Sequence, residues 1–491
     1  MSQMMMRESI HRYFPYEKAR DVQEELLSQL EEAWEQYDLI VVNAPTSLGK
    51  SALARTLMNW EGSGMYCTPT NQLLTQFLQE FPDTPALYSP GVAQAGRPHW
   101  WRWEDTERGQ RTARNGISSI ACTTSMAVVE RLSGRLRPRR FHVIDEAHAL
   151  IPMLQETASL GIWKHKTGYP DRFWDRNLLL RWAEKELYRS HTAGVLDFLR
   201  LLVETLTTDT PQYVIQEIEY PWSGGAKWLD PPVPRSVEVD LPKLVLRPIR
   251  VLETDEWARL LGPRVGKVVL LSATLSRVDV DQLRMTGRRT AYMHCISPIP
   301  ATSRPIIYQP VAAARHAILR EATGKMATHI RDYLMPEHAG ERGLIHATYQ
   351  QAEYLRAAMG SLGGRVLYHT ADTKHSTLQD FLASPPGTVL VASGMYEGVD
   401  LPYDKARWQV ICKVPWKSLG DPAIRYQSEQ NPEWYSWEAL KYLIQACGRV
   451  VRAPDDYGTT YILDSTFQRL YNDDKHLAPQ WWLDGLVMGD E

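Results

Sequence analysis

The stretch LIVVNAPTSLGKS, residues 39–51, decides the fold of this chain. Its first four residues are apolar and mostly β-branched, which is typical of a buried parallel strand. A loop of small residues follows, and Gly-Lys-Ser then opens a helical pattern through Ala52, Leu53 and Leu57. This order of strand, loop and helix predicts a P-loop, in which backbone N–H groups and the helix N-terminus hold phosphates.

Within this loop, Lys50 is expected to reach the β- and γ-phosphate oxygens, and Ser51 is expected to ligate Mg²⁺. Ala44 stands where the usual pattern has glycine, so the loop departs from that pattern at one position. The remaining members of the predicted cradle are Pro45, Thr46, Ser47, Leu48 and Gly49.

The length of 491 residues predicts two to four domains, and the composition is that of an ordinary globular protein. The net charge of −3 gives no overall basic field, so any nucleic-acid surface must be local. We find neither a signal-peptide pattern nor an apolar run long enough to cross a membrane. The five cysteines are scattered without metal-binding spacing, which favours a reducing compartment. We therefore expect a cytoplasmic protein without a membrane segment. A monomer is the oligomeric state that we predict.

An amphipathic helix is predicted within residues 11–37, upstream of the P-loop. In P-loop motor ATPases an Arg/Gln pair just upstream of the cradle often reads adenine, and Arg20 and Gln23 resemble such a pair. The alternative is that this helix serves only to pack against the phosphate-binding domain.

Hydroxyl side chains follow several predicted strands, at the points where helices begin. Such residues cap helices, and they also suit contacts to a phosphodiester backbone. Both roles stay open for Thr68, Thr70, Thr123, Thr124 and Thr348.

The segment FHVIDEAH, residues 141–148, is a second apolar strand that ends in carboxylates. Asp145 is expected to hold Mg²⁺, and Glu146 is expected to orient an attacking water. Paired acids at a strand end are common in proteins, but this tetrad downstream of a P-loop is a specific combination that indicates nucleotide hydrolysis.

Residues 151–240 interrupt the α/β pattern with two helical patterns, at 177–188 and 192–206, and a Pro/Trp-rich return. The second half then alternates helical patterns with strand candidates at 343–347, 365–369, 388–392, 408–414 and 459–464. This half has no second P-loop lysine, which favours a nucleotide-free partner domain that closes over the same nucleotide. Arg449 and Arg452 lie three residues apart and could reach a γ-phosphate, the alternative being a surface pair in salt bridges.

Together, GKS, DEAH, SAT at 272–274, GMYEGVDLP at 394–402 and QACGRVVR at 445–452 resemble the motifs of superfamily 2 helicases. The segments VICKVPWKSLGDP and APDDYGTTYILD make the chain more similar to the DinG/XPD-like branch. This resemblance implies an α/β fold of two RecA-like parallel-sheet motor domains, with a helical arch-like insertion in the first. The implied boundaries are 1–150 and 241–280 for domain 1, about 90–117 for a small Trp/Arg-rich insertion, 151–240 for the arch-like insertion and 281–491 for domain 2.

The resemblance also implies ATP and Mg²⁺ in the cleft between the domains, with single-stranded DNA crossing both. Gln445, Arg449 and Arg452 would sense the γ-phosphate, and Glu397 and Asp400 would link the nucleotide to the strand. The residues that would couple hydrolysis to domain motion are His148, Ser272, Ala273 and Thr274.

Many members of this branch hold an iron–sulfur cluster through four cysteines upstream of DEAH, but this interval contains only Cys67 and Cys122. We therefore expect no cluster. The corresponding segment, residues 97–114, is rich in tryptophan and arginine. Its indoles either form a metal-free core or meet DNA together with Arg102 and Arg111.

The sequence thus predicts an ATP-dependent helicase acting on single-stranded or forked DNA, with a 5′ to 3′ direction implied by the resemblance alone. A first alternative is a translocase that remodels protein–DNA complexes or RNA without processive unwinding. A second is a non-catalytic scaffold with a degenerate cradle, which only Ala44 and Ser47 support.

Overall fold

The apolar residues that precede the phosphate loop form a fully buried strand, as their β-branched character predicts, in the computed structural model of this chain. The structure describes residues 8–45, 48–87, 111, 113–132, 134–209, 212–222, 239–249, 266–283, 288–395 and 401–489. Its strands are β1 (Leu39–Asn43), β2 (Gly64–Thr68), β3 (Ala86–Leu87), β4 (Ile120–Thr123), β5 (Phe141–Ile144), β6 (Leu160–Trp163), β7 (Tyr213–Trp222), β8 (Val239–Pro248), β9 (Lys267–Ser272), β10 (Thr290–His294), β11 (Ile306–Ala312), β12 (Gly343–Ala347), β13 (Val366–Tyr368), β14 (Val389–Ser393), β15 (Trp408–Ile411), β16 (Thr459–Asp464) and β17 (Leu486–Met488).

The helices alternate with these strands in both halves of the chain. The α-helices are α1 (Asp21–Trp34), α2 (Lys50–Glu61), α3 (Asn71–Glu80), α4 (Thr124–Leu132), α5 (Leu150–Thr157), α6 (Lys164–Thr167), α7 (Arg176–Glu186), α8 (Ala193–Thr207), α9 (Arg277–Gln282), α10 (Leu319–His329), α11 (Met335–Glu337), α12 (Tyr349–Met359), α13 (Lys374–Ala383), α14 (Pro422–Gln430), α15 (Pro432–Cys447), α16 (Phe467–Asp474) and α17 (Gln480–Leu483). Short 3₁₀ helices span Ile10–Tyr13, Ala147–Ala149, Ala301–Ser303, His316–Ile318, Tyr403–Lys405 and Lys475–Leu477, and a π-helical turn spans Ile330–Leu334. Among these described helices, none is both long and apolar enough to span a lipid bilayer.

Domain 1 is built on a seven-stranded sheet in the order β10-β1-β9-β5-β2-β4-β3, with every pair parallel. Both of its faces are covered, because Leu39 and Val41 pack into one hydrophobic cluster and Ile40 and Val42 into another. Since all strands run the same way, the loops that follow β1, β5 and β9 meet at one edge of the sheet. The P-loop, DEAH and SAT segments are thereby brought together.

Domain 2 repeats this plan with a second seven-stranded parallel sheet, in the order β13-β14-β12-β15-β16-β11-β17. The structure confirms the predicted α/β fold of two parallel-sheet units. The strands β11 and β17 were not among the predicted strands, and β11 contains a proline that weakens the strand pattern.

The insertion between β5 and β9 contains an antiparallel sheet as well as helices. The two predicted helices are present as α7 and α8, and they pack against one face of the sheet β6-β8-β7. The sequence predicts an irregular Pro/Trp-rich segment after the two helices and does not reveal this sheet. The reason is that Pro221 and Pro242 interrupt the strand pattern of β7 and β8.

Two predicted boundaries need correction. The strand β8 belongs to the insertion and runs to Pro248, so the insertion extends past residue 240. The strand β10 pairs with β1, so domain 1 continues to His294 and does not end at residue 280. Only one residue of this edge strand is fully buried, which explains its weak apolar signal. The predicted small insertion at about 90–117 lies largely outside the described residues.

Each sheet contains a glycine opposite a large aromatic ring on the neighbouring strand. Gly64 pairs with Phe141, and Gly343 pairs with the fully buried Trp408. A Cβ atom at Gly64 would lie 2.2 Å from the Phe141 ring, and one at Gly343 would lie 2.3 Å from the Trp408 ring. The absence of a side chain therefore lets an aromatic ring cover the start of a central strand in each domain.

We predict that Gly343→Ala lowers the free energy of unfolding of domain 2 by about 1–3 kcal/mol, because the added methyl group overpacks the Trp408 site. Denaturant unfolding followed by tryptophan fluorescence measures the change. Gly324→Ala is the matched control: its Cβ meets nothing within 4 Å inside α10, so it should raise stability by up to about 1 kcal/mol. Equal stabilities for the two variants would contradict the packing argument.

Candidate functional site

Backbone and side-chain hydrogen bonds join the ends of β1 and β9. The Ala44 amide donates to the Ser272 carbonyl at 2.8 Å, and the Asn43 side-chain amide donates to the Leu275 carbonyl at 2.9 Å. The first residue of the predicted cradle is thus tied directly to the SAT segment. Of the other cradle residues, Thr46 and Ser47 lie outside the described part of the chain.

The P-loop is held against α1 by Gln23. Its side-chain amide donates to the Leu48 carbonyl at 2.8 Å, and its oxygen accepts from the Arg20 backbone amide at 2.9 Å. Gly49 adopts a left-handed conformation with φ of 85°, and a Cβ atom there would lie 2.6 Å from the Gln23 amide nitrogen. Glycine is therefore required at this position by both conformation and space. These contacts give Gln23 a structural role, and the adenine contacts of Arg20 and Gln23 stay a prediction.

Lys50, the first residue of α2, forms an ion pair with Glu146 in which Nζ and Oε1 are 2.7 Å apart. Burial alone would lower the pKa of Lys50, but the carboxylates of Glu146 and Asp145 outweigh it and raise that pKa. Burial would likewise raise the pKa of Glu146, but Lys50 and His148 hold it well below its usual value. Glu146 is therefore ionised, and its backbone has the uncommon left-handed φ of 47°.

His148 links the DEAH segment to the SAT segment. Its Nδ1 lies 2.9 Å from the Ser272 hydroxyl and 3.3 Å from Oε2 of Glu146. Among the predicted coupling residues, His148 and Ser272 are therefore in direct contact, while Ala273 follows them in the same buried turn.

Asp145 is buried beside Glu146 and accepts two hydrogen bonds. The Tyr66 hydroxyl donates to one carboxylate oxygen at 2.7 Å, and the Glu146 amide donates to the other at 2.9 Å. Burial raises the pKa of Asp145, although Lys50 opposes the rise. The Ser51 hydroxyl is close enough to the Tyr66 hydroxyl to affect its pKa, which burial raises. A hydroxyl and a carboxylate at one buried point are the hard oxygen ligands that suit Mg²⁺.

Sequence reasoning missed Tyr66. It precedes the hydroxyl-bearing end of β2 and looks like an ordinary aromatic core residue, stacked on Phe77 with ring centroids 4.1 Å apart. Only the neighbouring position of β5 in the sheet reveals that its hydroxyl reaches Asp145.

Two residues of domain 2, Gln445 and Arg452, approach the P-loop and SAT segments of domain 1. The Gln445 side-chain amide donates to the Thr274 hydroxyl at 3.2 Å, and its oxygen is buried without a hydrogen-bond partner among the described residues. The Arg452 guanidinium is near enough to Lys50 for its charge to oppose the rise of the Lys50 pKa. Arg449 is anchored by its carbonyl, which accepts from the Leu401 amide at 3.1 Å. Glu397 and Asp400 lie outside the described residues.

The hydroxyl residues at the strand ends all make hydrogen bonds within domain 1 or domain 2. Thr68 and Thr124 are buried, and their hydroxyls donate to the carbonyls of Thr70 and Thr68, both at 3.1 Å. The hydroxyls of Thr70, Thr123 and Thr348 accept from backbone amides at the starts of helices. Capping is therefore observed, and nucleic-acid contact stays a prediction. Arg111 is exposed, while Arg102 lies outside the described residues.

A groove of about 1170 Å³ lies at the carboxyl edge of the domain 2 sheet, and sequence reasoning missed it. The buried carboxylate of Asp464 organises it by accepting from the amides of Ala314, Val414 and Thr466 at 3.0, 2.9 and 3.0 Å. These three amides belong to the loops that follow β11, β15 and β16. One carboxylate thus fixes three loops that line the groove.

The groove combines aromatic and basic side chains. Trp416 and Tyr435 are stacked with ring centroids 5.1 Å apart and an interplanar angle of 28°. Arg315 and Lys413 also line the groove, and neither forms an ion pair with any residue that the structure describes. Stacked rings beside available cations are what single-stranded nucleic acid binds.

Comparison with known proteins matches both halves of the chain to helicase families. Residues 20–169 match the DEAD/DEAH box helicase family, and residues 343–484 match the helicase C-terminal domain. ATP-dependent DNA helicase YoaA of Escherichia coli is 27% identical over 248 residues, covering 45% of this chain and 36% of the relative. ATP-dependent DNA helicase DinG of Photobacterium profundum is 28% identical over 227 residues, covering 42% of this chain and 32% of the relative. The matches therefore span about a third of the length of these curated relatives.

Solved structures agree on the fold. The structure of S. tokodaii Xpd4 superposes with a TM-score of 0.58 at 14% identity, covering 96% of this chain and 100% of that one. A second structure, titled XPD helicase, gives the same TM-score at 12% identity and the same coverage. With the P-loop, DEAH and SAT segments assembled at one sheet edge and faced by domain 2, this chain contains matches to a DEAD/DEAH box helicase domain and a helicase C-terminal domain, is similar to the helicases YoaA and DinG, and shares the fold of the XPD structures.

Proposed function

We propose that this protein is an ATP-dependent DNA helicase that translocates along single-stranded DNA in the 5′ to 3′ direction. The observation that carries the proposal is the partly buried ion pair between Lys50 and Glu146, which faces Arg452 and Gln445 of domain 2. A lysine, a carboxylate and an arginine from the other domain at one boundary support nucleotide hydrolysis between two motor domains, which needs these three groups.

In this proposal, the ion pair holds the site before the nucleotide binds. The phosphates of ATP compete with Glu146 for the Lys50 ammonium, and the carboxylate is then released to orient the attacking water. The lowered pKa of Glu146 keeps it ionised while it is paired with Lys50, and loss of Lys50 to the phosphates would raise its proton affinity again. The contacts of His148 with Glu146 and Ser272 pass the change at the nucleotide to the SAT segment.

Ser51 and Asp145 are the residues that would hold Mg²⁺. The Tyr66 hydroxyl orients the Asp145 carboxylate by donating a hydrogen bond to it. When bound, the ion would neutralise charge that develops on the phosphate oxygens. Arg449 and Arg452 then approach from domain 2 and stabilise the charge of the transferred phosphoryl group. Both halves of the site come from one chain, which supports a monomer as the working unit.

The path that we propose for the strand runs from the helix starts at Thr70 and Thr123 in domain 1 to the groove in domain 2. The names of the two curated relatives favour DNA over RNA as the substrate. A translocase that remodels protein–DNA complexes or RNA would use the same ATPase, and a forked duplex distinguishes it from a helicase, because only the helicase separates the strands.

We predict that Lys50→Ala and Glu146→Gln each lower DNA-stimulated ATP hydrolysis by orders of magnitude. Lys50→Ala removes the charge that binds the phosphates, so it should also weaken ATP binding. Glu146→Gln removes only the group that orients water, so a fluorescent ATP analogue should still bind to it. Steady-state ATPase assays with single-stranded DNA, RNA or no polymer measure both effects. Normal turnover in either variant would refute the assignment of the site.

A second prediction concerns the groove in domain 2. The double variant Arg315→Ala/Lys413→Ala should weaken binding of single-stranded DNA and reduce the slope of log affinity against log salt by about two, one for each lost phosphate contact. Fluorescence anisotropy over a series of salt concentrations measures this slope. Lys405→Ala is the control, since Lys405 is exposed on the segment that leads into β15, at the opposite edge of the sheet. An unchanged slope in the double variant would remove the groove from the strand path.

The proposed direction is tested with duplexes that carry a single-stranded tail at only one end. We expect opening of the 5′-tailed duplex and little opening of the 3′-tailed one. Gel separation of the displaced strand measures the outcome, with the Glu146→Gln variant as the control for ATP dependence. Opening of the 3′-tailed duplex alone would contradict the proposed direction.

A further inference from the structure

The long helix α15 presents one stripe of side chains to domain 1. Trp437, Lys441 and Gln445 follow one another at intervals of four residues, so they lie on the same face of the helix. Gln445 contacts Thr274 near the nucleotide site, while Trp437 and Lys441 contact Asp279 one to two helical turns away. The chain leads from the end of this helix at Cys447 to the two arginines of the ATP site.

Asp279 is the domain 1 partner in this contact. One carboxylate oxygen accepts from the Lys441 ammonium at 2.7 Å, and the other accepts from the Trp437 indole at 2.7 Å and from the Ser276 backbone amide at 3.0 Å. Ser276 caps α9 and stands two residues after Thr274, so Asp279 is attached to the SAT segment by a short, hydrogen-bonded turn.

The cluster is buried and balanced in charge. Asp279 is 1% exposed, Lys441 4% and Trp437 0%. The Lys441 ammonium also binds Glu438 at 2.6 Å, and Lys417 approaches the other oxygen of Glu438 at 3.2 Å. Burial alone would lower the pKa of Lys441, but the two carboxylates more than compensate and raise it.

Separation of these groups would leave a charge buried without its partner, or would require water to enter the interface, and both are unfavourable. The contact nearer the nucleotide is weaker, since Gln445 and Thr274 share one neutral hydrogen bond at 3.2 Å. The interface therefore has a strong end at Asp279 and a weak end at the ATP site.

We propose that Asp279, Trp437 and Lys441 form a pivot that stays closed throughout the ATPase cycle and about which domain 2 rotates to bring Arg449 and Arg452 to the nucleotide. This proposal rests on the proposed ATPase function. The two charged members are positioning residues: they touch no reacting group, and they act by fixing the helix that carries the arginines. Six residues of helix, about 9 Å, separate Lys441 from the helix end at Cys447.

An exposed ion pair in the same interface allows the pivot to be closed covalently. Arg277 at the start of α9 lies 2.6 Å from Glu433 in the first turn of α15, and their side chains are 64% and 33% exposed. Cysteines at these two positions can be joined by a short bis-maleimide, with Cys295 replaced by serine to limit side reactions. Each single-cysteine variant, treated with the same reagent, is the control.

The test compares four full-length proteins: the cysteine pair before and after cross-linking, and the same two forms with Lys441→Met. We expect the cross-linked pair to retain DNA-stimulated turnover within about threefold, because a pivot need not open. Lys441→Met should lower kcat between about 10-fold and 100-fold, as expected for misplaced catalytic groups. Its affinity for a fluorescent ATP analogue should stay unchanged, since the P-loop lies in domain 1. Cross-linking should then restore kcat in the Lys441→Met protein.

Loss of turnover on cross-linking the pair that retains Lys441 would show that the interface opens in each cycle, and it would overturn the pivot. This arm does not depend on how the Lys441→Met protein folds. Normal kcat in Lys441→Met, or a kcat that cross-linking does not restore, would also overturn it. Failure of the proposed function gives a different result from failure of the pivot. In that case the unmodified chain would lack DNA-stimulated ATP hydrolysis.

Discussion

Two adjacent carboxylates lie at the end of β5, Asp145 buried and Glu146 partly buried, and their neighbours in domain 1 compensate their charge. Like charges this close would repel each other strongly in a protein interior. Lys50 compensates from α2, Tyr66 donates from β2, and His148 approaches from the next turn of the chain. These partners can meet only if β1, β9, β5 and β2 are neighbours in a parallel sheet, which is the observed order.

The boundary between the two domains uses polar contacts of unequal strength. The contact of Gln445 with Thr274 is neutral and single, whereas Asp279 binds Lys441 and Trp437 through two short hydrogen bonds, one of them between charged groups. The proposed function requires an interface that is stable enough to hold the two domains together and weak enough to respond to a nucleotide. This chain distributes the two requirements along one helix face.

The sequence alone predicted those parts of the site whose functional residues lie in short, contiguous motifs. Lys50, Asp145 and Glu146 lie together as expected, because each follows a strand whose pattern is strong. Tyr66 and the pivot were missed because their function depends on partners that are distant in sequence; Asp279 and Lys441 are separated by 162 residues. The carboxylate of Asp464 was missed for the same reason.

The errors in the fold have a similar origin. The strand β10 is half exposed at the edge of its sheet, and prolines interrupt the strands of the insertion, so neither has the strong apolar pattern of β1. Glu397, Asp400, Thr46, Ser47 and Arg102 lie outside the described residues, and their roles stay predictions.

The insertion leaves domain 1 after β5 and returns at β9, and these two strands are direct neighbours, with Phe141 paired to Lys267. Both ends of the insertion are therefore attached to the middle of the sheet, to the strands that carry the DEAH and SAT segments. A mechanical load on the insertion would be carried by the ladders of hydrogen bonds that join β5 and β9 to each other and to β2 and β1. Tension on the insertion would thus act on the two strands that lead to Asp145 and Ser272.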